Sequence, residues 1–129
     1  ISHKIVGAVG RALTKQDFPK WFMYGNKDVP FKCGDCNDAV IVEDCPSACA
    51  VSNILTGIAI MGTKLKAVQK SHLKPYKNLY ICLDRDATTK AYDMAKDLRS
   101  SGFENIIVKP LEDDLKYYNT EQIRRMFYE

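Results

Sequence analysis

The sequence predicts an α/β domain built on a mostly parallel sheet, and three observations carry that expectation. Four short apolar runs, at 39–43, 58–61, 79–83 and 105–108, alternate with segments of helical character, the order in which parallel strands are joined by right-handed crossovers. Two of those runs stop abruptly at acid: Ala39-Val40-Ile41-Val42 runs into Glu43, and Tyr80-Ile81-Cys82-Leu83 runs into Asp84-Arg85-Asp86. The 129-residue length suits one domain, and a domain of that size buries about two thirds of its unfolded surface.

The elements follow in order. Lys4-Ile5-Val6-Gly7-Ala8-Val9-Gly10-Arg11-Ala12-Leu13 reads as a strand loosened by glycines, and after a polar turn Pro19-Lys20-Trp21-Phe22-Met23-Tyr24-Gly25 is a second extended segment. The pair suggests a hairpin, and the chain divides into a basic β extension over 1–37 and the main domain over 38–129. A helix is expected at 46–54 after the first strand, and another at 64–72 after the second. The helix at 87–101 has the clearest pattern: Ala87, Ala91, Met94, Ala95 and Leu98 share one face, Lys90, Asp93, Lys96 and Asp97 take the other, and Gly102 stands where a C-terminal cap belongs. Residues 111–119 are acidic and then aromatic, and Thr120-Glu121-Gln122-Ile123 opens a final helix whose tail is basic and then apolar. The sequence contains no internal repeat, linker or low-complexity segment.

The hydrophobic fraction of 46% is enough for a core. No apolar run approaches the about 18 residues needed to span a bilayer, and the first residues lack the order of a signal peptide, so no membrane association and an intracellular location are expected. The net charge of +3 is ordinary, but its distribution is not. Lys64, Lys66, Lys70, Lys74 and Lys77 fall in a stretch without acid, whereas 112–114 is wholly acidic. A basic flank beside an acidic pocket is what a metal-dependent site handling polyanions requires; the other reading of 64–77 is a solvated helical face.

The five cysteines include a Cys33-Gly-Asp-Cys36 pair followed by Cys45 and Cys49. Zinc is one reading. An intervening strand would hold the two pairs about 15 Å apart at the usual rise per residue, so structural zinc is not expected. An odd count without a secretory signal also argues against a disulfide framework and for reduced, partly buried thiols.

The chemistry is expected at the strand ends. Asp84 and Asp86 leave their strand on one face with Cα atoms about 7 Å apart, and paired anions invite a divalent cation. In an open parallel sheet ligands sit beyond the carboxyl ends of the strands, so Glu43 can join them from afar in sequence. Asp86 could also cap the following helix. Arg85 projects to the opposite side, toward a phosphate or a neighbouring acid. Trp21, with Phe22 and Tyr24, could stack a base or fill the core, and His3 and His72 have no partner spacing.

A glutamate ending one strand and an Asp-x-Asp ending a later one resemble the Toprim domain of primases, topoisomerases and related repair proteins, over 38–119. Val42-Glu43 followed by Ser47-Ala48 takes the first motif, Ile60-Met61-Gly62-Thr63 is similar to the small-residue turn after the second strand, and Leu83-Asp84-Arg85-Asp86 is the second acidic motif. The first motif departs from the family, which continues to a glycine and to an aspartate four residues beyond the glutamate; here Asp44 and Ser47 stand, with Asp44 as a partial substitute. Val9-Gly10-Arg11-Ala12-Leu13 and Pro19-Lys20-Trp21 resemble the segment that precedes Toprim in primases, and Glu112-Asp113-Asp114-Leu115-Lys116-Tyr117-Tyr118 is similar to a further acidic stretch, with Asp114 the better match and Asp113 next to it.

That resemblance implies a Toprim, Rossmann-like fold with a mostly parallel four-stranded sheet flanked by helices, and the catalytic core of a phage-type DNA primase. The implied reaction is nucleotidyl transfer that makes RNA primers on single-stranded DNA. Glu43, Asp84 and Asp86 would be catalytic, and with Asp113 and Asp114 would hold Mg2+ or Mn2+. Arg11, Lys20, Lys64 and Arg85 would contact nucleic acid or nucleotide. The implied partners are template DNA, nucleoside triphosphates, a replicative helicase and a separate zinc-binding module, in a bacterial cytoplasm or an infected host cell. Two alternatives stay open: a metal-dependent nuclease of the same fold, and a non-catalytic module that docks nucleic acid or a replisome partner. Whether the chain is a catalytic fragment or stands alone is open as well.

Overall fold

The computed structural model describes residues 7–11, 21–25, 29–61, 65–113 and 115–128, excepting the side chains of 7–11, 21–25 and 116. Strands β1 (Gly7–Arg11) and β2 (Trp21–Gly25) pair antiparallel, with Gly7 opposite Gly25 and Arg11 opposite Trp21, the pairing suggested by the glycine-loosened runs.

The main sheet has five strands, not the four expected. Its order is β3 (Phe31–Cys33), β5 (Thr56–Ala59), β4 (Ala39–Val42), β6 (Leu79–Ile81), β7 (Ile106–Val108). Strands β4, β5, β6 and β7 are parallel to their neighbours, and only β3 runs antiparallel, on the β5 edge. The added strand comes from the segment assigned to the extension. It is three residues long with Phe31 and Lys32 exposed, so it lacks the apolar signature of the inner strands.

Successive side chains of a strand point to opposite faces, and here both faces are covered. Ala39 and Ile41 of β4 pack with Ile58, Leu79 and Ile81 against α3 (Thr88–Ser100), through Ala91, Met94, Ala95 and Leu98. Val40 and Val42 pack on the other face with Ala59 and Tyr80 against α1 (Cys45–Ala50) and α4 (Thr120–Tyr128), through Ala48, Ile123 and Phe127. Burial on both sides is why β4 reads as a continuous apolar run without alternation.

Local chemistry adjusts the expected boundaries. Asp44 caps α1: its Oδ1 accepts from the Ser47 backbone N–H at 2.9 Å, and Pro46 fits the first turn, where no N–H is needed. The helix expected over 64–72 is shorter. α2 (Ala67–Lys70) begins where the Gln69 side chain accepts from the Lys66 backbone N–H at 2.9 Å, and it tightens into a 3-10 turn, Ser71–Leu73, ahead of Pro75. Asp86 does not cap α3. A 3-10 turn, Arg85–Ala87, separates β6 from the helix, and the N-cap residue is Ala87, without a side-chain cap.

Helix α1 approaches the sheet closely because Gly57 has no side chain. A Cβ there would lie 2.2 Å from the Ala48 carbonyl oxygen, so the first helix after Glu43 rests against β5 at that point.

A candidate carboxylate site at the strand ends

Strands β4 and β6 are adjacent and parallel, with Ile41 opposite Ile81, so the residues that leave their carboxyl ends emerge side by side. Glu43 and Asp84, separated by 41 positions in sequence, meet there: Glu43 Oε1 accepts from the Asp84 backbone N–H at 3.1 Å. Both side chains are half-buried, whereas Arg85 and Asp86 are exposed on the turn that follows.

The electrostatics at Glu43 fit a gathered set of anions. Burial pushes its carboxyl up, the Asp84 N–H opposes that shift, and the negative charges of Asp84 and Asp86 add to it, leaving the group at about 7. Burial and like charge both disfavour a carboxylate, so this group sits near neutrality, in the range suited to proton transfer.

The donors fit a hard cation. All are carboxylate oxygens, which suit magnesium or manganese, and a cation would relieve the repulsion that raises Glu43. Glu43, Asp84 and Asp86 are the residues that would hold it. Magnesium favours one or two carboxylates supplemented by water and phosphate oxygens over a full protein cage. Among the described residues, no group of three or more His, Cys, Asp or Glu is placed so that it could hold a metal ion by itself.

The other expected site residues are placed unevenly. Asp113 is exposed after β7 and is not among the groups acting on Glu43. Asp114, Lys20 and Lys64 lie outside the described residues, and only the backbone of Arg11 is described, at the end of β1 opposite Trp21. Arg85 is exposed and its carbonyl accepts from the Thr88 hydroxyl at 3.0 Å. Asp44 directs one carboxylate oxygen to its own helix and thereby serves as a cap.

The basic stretch is mixed in role. Lys66, Lys74 and Lys77 are exposed, but Lys70 pairs with Asp97 at 2.8 Å and donates to the Ser101 hydroxyl at 3.1 Å, holding α2 against α3. Sequence reasoning passed over Lys32, which donates to the His72 carbonyl at 3.2 Å and lies 5.4 Å from the centre of the Tyr76 ring. Met61, read in the sequence only as part of the small-residue turn Ile60-Met61-Gly62-Thr63, has a φ of 57°, which is left-handed. A non-glycine residue there costs about 1–2 kcal/mol, and such strain gathers at functional sites. The signal for Met61 was its position at the end of β5, ahead of Gly62-Thr63.

The thiols depart from expectation. The two cysteine pairs were expected about 15 Å apart on the usual rise of the intervening strand, yet Cys33 and Cys49 are neighbours, because α1 folds back over β5 to the β3 edge. Cys36, which follows β3, bonds the Thr56 hydroxyl through both its backbone N–H and its carbonyl at 2.9 Å.

No family model matches the chain, and no curated protein matches it. Among the described residues, no helix is long and apolar enough to cross a membrane.

Proposed function

We propose that the chain is a divalent-metal-dependent nucleotidyl-transfer core of the phage-type primase class, joining ribonucleotides on single-stranded DNA. The observation that carries this reading is the meeting of Glu43 and Asp84 at the ends of adjacent parallel strands, with Glu43 raised to about 7 beside Asp84 and Asp86. The resemblance of the Arg11 and Lys20 flank to the segment before Toprim selects primer synthesis among the reactions such a site could serve.

Bound divalent ions would supply neutralising charge for the phosphate under attack and its pyrophosphate leaving group, and would acidify the attacking hydroxyl. The chain's own residues divide the remaining work. Asp84 and Asp86 supply hard oxygen donors from one strand end. Glu43, half-buried and near neutral in its proton affinity, is suited to take the proton of the attacking 3′ hydroxyl. The Asp84 N–H fixes Glu43 by one carboxylate oxygen. Arg85, exposed on the adjoining turn, is available to a phosphate.

The test is incorporation of labelled ribonucleotides on single-stranded DNA with magnesium or manganese, for the parent chain and Asp84→Ala. Product from the parent and none from the variant supports the reading. Cleavage of labelled DNA without nucleotides would replace it with a nuclease, and nucleic-acid binding unchanged by Asp84→Ala with no turnover under either metal would replace it with a docking module.

A further inference from the structure

Gly57 fixes more than the approach of α1. It stands directly opposite Cys33 in the antiparallel β3–β5 pair, and residues directly opposed in such a pair present their side chains on the same face. The face toward which a Gly57 side chain would point is the one occupied by the Ala48 backbone. Cys33 is therefore on the α1 face of the sheet edge, and Cys49 is the residue after Ala48. Their thiols are close enough that Cys33, after burial, is the neighbour that pushes the Cys49 thiol up.

Two of the remaining three thiols are engaged or closed off elsewhere, and Cys36 is half-buried, with its backbone bonded to Thr56. Cys45 directs its Sγ to the Met61 Sδ at 3.8 Å, and Cys82 is buried between strand and helix layers. Cys49 is exposed and Cys33 half-buried, so a small reagent can reach the pair. Neither takes part in the carboxylate site.

We propose that Cys33 and Cys49 form a dithiol site that closes to a disulfide by exchange with a small-molecule disulfide, joining β3 to α1. One protein thiolate attacks a sulfur of the reagent and releases one small thiolate, leaving a mixed disulfide. The second protein thiolate attacks the protein-side sulfur of that bond and releases the second small thiolate. Two protein thiols are oxidised, one reagent disulfide is reduced to two thiols, and the two thiol protons end on the released groups. The closed bond ties the sheet edge to the helix that follows Glu43, and a reducing thiol reopens it.

The experiment uses the folded full chain incubated with oxidised glutathione, blocked with an alkylating reagent and read by intact mass and peptide mapping. The expected product is lighter by two hydrogen atoms before alkylation, yields a Cys33–Cys49 cross-linked peptide, and melts at a higher temperature than the reduced chain. Cys33→Ser and Cys49→Ser should each lose that peptide, and Cys36→Ser and Cys45→Ser should keep it. A bond mapping to Cys33–Cys36 or Cys45–Cys49, or glutathione adducts without a cross-link in the parent chain, would overturn the proposal.

Discussion

The two ends of the sheet treat carboxylates in opposite ways. At the amino-terminal end, Asp38 precedes β4 and is surrounded by neutral donors: Asn78 Nδ2 donates to one oxygen at 2.9 Å and the Tyr128 hydroxyl to the other at 3.0 Å. Burial, helped by the same contact, holds the Tyr128 phenol well above its usual proton affinity. At the carboxyl-terminal end Glu43 receives one backbone N–H and faces two further acids. Asp38 is a carboxylate whose neighbours satisfy it, linking β4, the turn before β6 and the end of α4. Glu43 is a carboxylate whose neighbours oppose its charge, and such an arrangement is costly to a fold unless a cation or a proton serves it.

Substitution should separate the two ends sharply. The largest effect is expected from Asp84→Ala, which should reduce ribonucleotide joining at least about 100-fold while its melting temperature stays at or above that of the parent. A melting temperature that falls along with activity would make Asp84 a structural residue and erase the contrast. At the other end, Asp38→Ala should cost about 1–3 kcal/mol by removing a charged acceptor from two donors, read by chemical denaturation, with turnover per folded molecule retained. Loss of turnover without loss of stability there would invert the assignment.

The pH dependence sharpens the comparison. Glu43 is raised from 4.5 to about 7 in the folded chain. Within that window the folded chain holds a proton that the unfolded chain has released, so stability contributed by this group falls as pH rises through it. In metal-free buffer the parent should lose melting temperature across that interval relative to Glu43→Gln, whose curve should be flatter. Equal slopes would mean that Glu43 titrates normally. The smallest effect belongs to the surface: Lys70→Ala, which removes the pair with Asp97, should change stability by about 0–1 kcal/mol, and a larger loss would mark the α2–α3 contact as a supporting element.

Much of this contrast was legible in the sequence, and the part that was not has physical reasons. The inner strands announced themselves because burial on both faces demands uninterrupted apolar residues, and the order of strands and helices implied parallel pairing, which is what brings Glu43 to Asp84. Strand β3 did not, since an edge strand of three residues with an exposed phenylalanine and lysine carries no pattern. The contact of Cys33 with Cys49 was hidden for a related reason. Separation along a strand says nothing of a helix that doubles back, and the return is permitted by the missing Cβ of Gly57. Asp44 and Asp86 exchanged expected roles as cap and free acid, a distinction set by one turn of backbone: α1 starts at once after Asp44, whereas a 3-10 turn intervenes after Asp84. Nothing in the amino-terminal end's pattern foretold that Tyr128 would reach Asp38, 90 positions away.

The central claim is that Glu43, Asp84 and Asp86 form one cation-binding pocket, and manganese binding at neutral pH tests it most directly. Electron paramagnetic resonance of free Mn2+, titrated with the parent chain, Asp84→Asn and Asp38→Asn, gives the affinities without requiring catalysis. The parent and Asp38→Asn should bind alike, and Asp84→Asn should bind about tenfold or more weakly. Equal binding by the parent and Asp84→Asn, or none by the parent, would contradict the account.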